Sequence, residues 1–141
     1  MTFHVTTLSD FEAQVPEIIH HLQGAKKIAL YGEMGAGKTT FVRMFSQYLG
    51  IEGHAASPTF SLVNQYKYQD SSGQIAYMHH LDLYRLRNVQ EAFDIGIEDL
   101  LFDPWYCIIE WPQLIEPWLP TNTKRITIEV MEHSERLIHI L

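Results

Sequence analysis

Eight residues, Gly32-Glu33-Met34-Gly35-Ala36-Gly37-Lys38-Thr39, constrain this chain more than any other stretch. They fit the pattern G-x-x-x-x-G-K-[ST], and each part of that pattern has a physical task. Glycines let the backbone turn tightly and enter positive φ. Successive N–H groups can then point inward and cradle an anion. A helix that starts at the end of the loop adds its unpaired N–H groups and its dipole. Lys38 is placed to reach the β- and γ-phosphates of a nucleoside triphosphate, and the Thr39 hydroxyl is a hard oxygen suited to Mg²⁺.

The surroundings meet the requirement that such a loop join a strand to a helix. Residues 27–31 (KIALY) form a short apolar run of strand type. After the loop, Phe41, Met44, Phe45, Tyr48 and Leu49 recur at helical spacing, with Gly50 as the glycine after the last turn. Upstream, residues 3–6 read as a short first strand. Ser9 to Glu12 read as a capping box opening a helix with Phe11, Val15, Ile18, Ile19 and Leu22 on one face, interrupted by Pro16 and ended by Gly24. Downstream, 60–68 and 74–81 read as strands joined at Asp70-Ser71-Ser72-Gly73, 89–101 as a helix broken near Gly96, and 105–110 as a buried strand. A closing hairpin covers 124–130 and 136–141. Strands alternating with helices predict an α/β chain with the P-loop nucleoside triphosphate hydrolase fold: three layers, and a mixed sheet with a parallel core and antiparallel hairpin strands. At 141 residues, without a repeat or linker, the chain is expected to form one domain spanning 1–141.

A nucleotide-hydrolysing loop of this kind needs an acid at the end of a neighbouring strand to hold or order Mg²⁺ and its water. Two acids stand at such places, Asp82 after 75–81 and Glu110 after 106–109. Both belong at the carboxyl ends of strands, where ligands of open α/β sheets gather. The segment Ser57-Pro58-Thr59-Phe60 reads either as a switch loop touching the γ-phosphate or as a plain turn.

Composition narrows the partners. Only 10 Lys and Arg stand against 17 acids, a net charge of −7, so unaided binding of nucleic acid is disfavoured. No apolar run approaches the roughly 20 residues that span a bilayer, and no secretion signal opens the chain, so a cytoplasmic location without membrane contact is expected. One cysteine, Cys107, excludes an internal disulfide framework. The pairs His20-His21 and His79-His80 lack zinc spacing. A guanine-reading [NT]-K-x-D motif is missing, which favours ATP over GTP. The five arginines, Arg43, Arg85, Arg87, Arg125 and Arg136, do not cluster as a metabolite-kinase lid would require. A nucleotide-gated binding module without catalysis is the other reading. No arginine finger is evident, which predicts a slow enzyme that a partner accelerates.

Taken together, GEMGAGKTT at 32–40, SPTF at 57–60, HLDLYR at 80–85, GIED at 96–99 and EWP at 110–112 resemble the TsaE family, also called YjeE, in order and spacing. The resemblance implies an ATPase that serves the TsaD–TsaB complex as it makes threonylcarbamoyladenosine on tRNA, with the tRNA met only through that complex. It implies that ATP is held by Gly32, Glu33, Met34, Gly35, Ala36, Gly37, Lys38, Thr39 and Thr40, and Mg²⁺ by Thr39 and Glu110. Lys38, Asp82 and Glu110 are the expected catalytic groups, the division of roles between the two acids being open. Trp111 matches the aromatic neighbour of the family's acid.

Overall fold

The computed structural model describes residues 1–52 and 62–141. Ser57-Pro58-Thr59-Phe60 lies outside the described residues, as does the beginning of the strand expected from residue 60. In chain order the elements are β1 (Thr2–Val5), α1 (Leu8–His20), β2 (Lys27–Tyr31), α2 (Lys38–Tyr48), β3 (Val63–Gln69), β4 (Ile75–Asp82), α3 (Val89–Asp94), α4 (Ile97–Phe102), β5 (Tyr106–Glu110), β6 (Lys124–Val130) and β7 (Arg136–Ile140). A 3-10 helix, Pro112–Trp118, follows β5.

Seven strands form one sheet in the order β1-β7-β6-β2-β5-β4-β3. The middle is parallel: β6 with β2, β2 with β5, and β5 with β4. The flanks are antiparallel, with β1 on β7, β7 on β6 and β3 on β4. The mixed sheet with a parallel centre and hairpin edges is thus present. Alternation along the central strands splits their side chains between two apolar layers. Ile28, Leu30, Met78, Ile108, Ile126 and Ile128 join α1 and α2. Leu81, Cys107 and Ile109 join α3, α4 and the 3-10 helix.

Several local readings shift. α1 begins at Leu8, before the expected Ser9, because Thr7 is the cap: its hydroxyl accepts from the Asp10 N–H at 3.0 Å. Asp10 accepts in return from the Thr6 N–H at 2.9 Å, so the cap sits two residues earlier than expected. Helical residues continue through Pro16 to His20, four short of Gly24. On α2, Tyr48 is 53% exposed rather than part of the buried face, and Val42 takes its place in the core. The helical pattern 89–101 resolves into α3 and α4 at Gly96, whose φ is 82°.

The face carrying α4 also holds a buried charge. The Lys27 ammonium donates to Asp103 Oδ1 (2.7 Å), the Leu100 carbonyl (2.7 Å) and the Trp105 carbonyl (2.8 Å). All three of its protons therefore have acceptors, which offsets the cost of taking a charge out of water. The contact ties the end of α4 and the start of β5 to β2, and so sets where Glu110 emerges. Next to it lies Cys107, whose thiol burial pushes up to about 12. At pH 8 only about one thiol in 10⁴ is then ionised, and the thiolate is the nucleophile. Native protein should leave Cys107 unmodified by iodoacetamide, while urea-unfolded protein reacts fully. Mass spectrometry of the two samples reads the outcome, and rapid native labelling would contradict the buried placement.

Candidate functional site

The glycine-rich loop leaves β2 and enters α2 at the carboxyl end of the parallel strands. Two of its glycines are required by geometry. Gly32 has φ 153°, and a Cβ there would stand 2.7 Å from the Ile128 carbonyl oxygen of β6. Gly37 has φ 113° and directly precedes the first residue of α2. A side chain at either position would strain the backbone or collide. The loop is pinned further by the Ala36 N–H donating to the Glu33 carbonyl at 3.0 Å. From behind, Arg136 Nε donates to the Ala36 carbonyl at 2.9 Å.

Parallel register then brings the acids to the loop. Leu30 pairs with Glu110 and Asp82 pairs with Glu110. Both acids thus stand side by side at the strand ends, beside the start of α2. The Thr39 hydroxyl donates to the Glu110 carboxylate, at 3.2 Å to Oε2 and 3.4 Å to Oε1. Glu110 Oε2 also lies 2.5 Å from His80 Nε2. Glu110 and His80 are both buried. Asp82 is less enclosed and accepts from the Tyr84 N–H at 3.0 Å. Burial pushes the Asp82 carboxyl above its ordinary value, helped by the nearby Glu110 charge and opposed by the Tyr84 N–H.

Lys38 is buried at the first position of α2. Its ammonium donates to the Gly32 carbonyl at 2.6 Å and lies 3.6 Å from the centre of the Trp111 ring. Burial lowers its pKa, while Glu110 and Asp82 pull it back up. Trp111 itself has φ 55° and ψ 58°, a left-handed conformation that costs an indole residue roughly 1–2 kcal/mol. That turn aims the ring over Lys38. Tyr84 leans on the indole from outside, ring centres 5.0 Å apart.

A cleft of about 360 Å³ collects most of these groups. Met34, Gly35, Gly37, Lys38, Thr39 and Thr40 form one wall, and Asp82, Tyr84, Glu110 and Trp111 the other. Gly32, Glu33 and Ala36 are not among its walls: Gly32 and Glu33 border a separate hollow beside β6, and Ala36 a second cleft. Their part in the loop is carried by backbone. Sequence reasoning left His80 undecided and did not anticipate Tyr84 or Arg136. His80 could have been found from strand parity, because residues 80 and 82 of β4 share a face. Arg136 offers no such signal, since its partner is 100 positions away.

Two hard oxygens, Thr39 Oγ1 and a Glu110 carboxylate oxygen, lie together beside the one buried ammonium of the cleft. This donor chemistry fits Mg²⁺, which commonly takes one or two carboxylates and completes its shell with water and phosphate oxygens. The fold and the cleft define an α/β protein whose glycine-rich loop, buried lysine and paired carboxylates share the strand ends. The model for Threonylcarbamoyl adenosine biosynthesis protein TsaE matches residues 5–138. The tRNA threonylcarbamoyladenosine biosynthesis protein TsaE of Treponema pallidum is 33% identical over 119 residues, 84% of this chain and 84% of that protein. That of Haemophilus influenzae is 33% identical over 129 residues, 90% of this chain and 78% of that protein. The protein of the same name from Bacillus subtilis is 34% identical over 111 residues, 79% of this chain and 66% of that protein. A crystal structure of Bacillus subtilis YdiB superposes with a TM-score of 0.66 at 28% identity, covering 98% of this chain and 82% of that one. The chain belongs to the TsaE family of tRNA threonylcarbamoyladenosine biosynthesis proteins. Among the described residues, no helix is long and apolar enough to cross a membrane.

The raised Asp82 pKa makes a stability prediction. Folding favours the protonated form, so the ionised carboxylate destabilises the native state at any pH above its raised value. That penalty fades as pH falls toward the ordinary 3.8. Asp82→Asn keeps an acceptor for the Tyr84 N–H and removes the charge. It should raise the melting temperature at pH 8, with the difference shrinking toward pH 4. Calorimetric scans across that range check it; a variant less stable than the parent at pH 8 would show that burial is not the governing cause.

Proposed function

We propose that this chain has the P-loop nucleoside triphosphate hydrolase fold in a single domain, and that it binds and hydrolyses ATP with Mg²⁺. The observation that carries the reading is the meeting of Lys38, Thr39, Glu110 and Asp82 with the start of α2 in one cleft. An ammonium, a helix start and backbone N–H groups are what a polyphosphate tail needs, and two carboxylates flanking a hydroxyl are what its counter-ion needs. Mg²⁺ held by Thr39 and Glu110 would supply positive charge at the phosphate oxygens.

The residues divide the remaining work by their placement. Lys38 exchanges the Gly32 carbonyl for a phosphate oxygen, a better acceptor for a buried ammonium. Trp111 keeps that ammonium aimed while it changes partners. Glu110 is committed to Thr39 and His80, so its role is to hold the ion. Asp82 makes neither contact, faces the cleft and carries a carboxylate of raised basicity, which suits it to orient the attacking water. The second cleft, about 300 Å³, shares Gly35, Gly37 and Thr40 with the first and reaches back to Phe11 and Arg136. Its position beside the loop suits the nucleoside part of the ligand. The lack of a guanine-reading motif favours adenine.

None of the five arginines is among the residues walling the cleft. An arginine or equivalent charge at the leaving phosphate is worth about 10³–10⁵ in rate. This supports a slow enzyme whose site is completed by a partner, which family membership points to as the TsaD–TsaB complex acting on tRNA in the cytoplasm. Turnover of the isolated chain should be slow and should rise by about 10³ or more with TsaD–TsaB. Lys38→Ala should lower stimulated turnover by at least about 100-fold. A phosphate-release assay measures both. Rapid hydrolysis by the chain alone would count against the partner's role, and unchanged turnover in Lys38→Ala would remove the loop from the chemistry.

A further inference from the structure

We infer that His80 is a positioning residue for Glu110, holding the carboxylate in the place from which it meets the metal ion; this rests on the Mg²⁺ role proposed above for Glu110. The two residues come from neighbouring strands. His80 of β4 pairs in register with Ile108 of β5, two residues before Glu110, and side chains two apart on a strand share a face. The imidazole is wholly buried, and its Nε2 lies 2.5 Å from Glu110 Oε2. The Thr39 hydroxyl donates to the same oxygen at 3.2 Å. The carboxylate is therefore clamped between a helix start and a strand.

That clamp has a physical purpose. A glutamate side chain loses rotamer freedom when fixed, and an ion must supply that ordering if the protein does not. A carboxylate offers about four lone-pair sites. The imidazole and the Thr39 hydroxyl both approach Oε2 most closely, which leaves lone pairs on Oε1 for the ion. Groups behind a metal ligand that fix its orientation commonly carry 10–100-fold in metal affinity.

Filling space alone does not account for His80. Its Nδ1 is buried without a hydrogen-bond partner among the described residues. An imidazole with one unpaired nitrogen is costlier to bury than leucine. Glu110 is the compensation for that cost. His79, its neighbour on the other face of the sheet, is engaged elsewhere, with Nε2 at 2.9 Å from Gln65 Oε1.

The test measures the metal rather than turnover. ADP binding to the full chain is followed by calorimetry at increasing Mg²⁺, alongside melting curves without nucleotide, for the parent and for His80→Leu, His80→Asn and His80→Gln. Glutamine places an amide nitrogen near the position of the lost Nε2, whereas asparagine falls short. The Mg²⁺ concentration for half-maximal effect should rise by about tenfold or more in His80→Leu and His80→Asn, and stay within about threefold of the parent in His80→Gln. ADP affinity without metal should be the same in all. If His80→Leu does not fold, the Gln and Asn pair still decides the matter. In a Glu110→Gln background the His80 changes should add little to the metal requirement.

Equal Mg²⁺ requirements in the Asn, Gln and parent proteins would overturn the inference. So would a full effect of His80→Leu that persists in Glu110→Gln. A parent whose ADP binding ignores Mg²⁺ altogether would sink the metal role of Glu110 itself, a different failure with a different signature.

Discussion

Parallel pairing at the centre of the sheet is the constraint from which the site follows. Strands that run the same way end on the same side. With β4, β5 and β2 adjacent, their last residues cannot avoid one another, and the register puts Asp82 against Glu110 and Glu110 against Leu30. The loop after β2 then has two acids as neighbours without any side chain having to reach. Had β4 run antiparallel to β5, as β3 does to β4, Asp82 would stand at the far edge of the sheet. Position in this site is a property of backbone hydrogen bonding first and of side chains second.

The second ingredient is a close approach that one atom would prevent. The backbone at Gly32 lies so near the Ile128 carbonyl that a Cβ would come within 2.7 Å of it. This seats the loop against β6 and leaves Lys38 pointing at the loop's own carbonyl, with an indole above it. The buried ammonium is thus held by weak, exchangeable partners: one neutral oxygen and one aromatic face. An anionic oxygen is a stronger acceptor for an ammonium than either of these, whereas a tight ion pair to Glu110 would have made the lysine hard to recruit. Instead the Glu110 carboxylate meets Thr39 and His80.

The parts legible in the sequence were those governed by local rules. The loop motif, the strand before it, the helix after it and the two hairpins follow from glycine chemistry, apolar spacing and turn residues. Asp82 and Glu110 were legible as strand-end acids. What escaped depends on contacts between distant segments. The start of α1 moved because Thr7 and Ser9 are both plausible caps, and only the tie from Asp10 back to Thr6 decides between them. Tyr48 was assigned to a buried face by spacing, yet its position near the end of α2 leaves it outside the sheet's shadow. The roles of the two acids could not be separated by motif. They are separated by what each touches, since Glu110 meets the helix hydroxyl and the imidazole while Asp82 accepts from the backbone N–H of Tyr84.

The Arg136 contact has a bearing on how this molecule is made. The loop near the beginning of the chain is braced by a side chain from the last strand, and by the carbonyl of a strand just before it. A ribosome delivers the loop early and its braces late. During synthesis the loop therefore emerges before these two braces do. The glycine-rich loop can gain these two braces only once the closing hairpin has paired beside β2, so the full set of contacts around it depends on completion of the sheet and not on the motif alone.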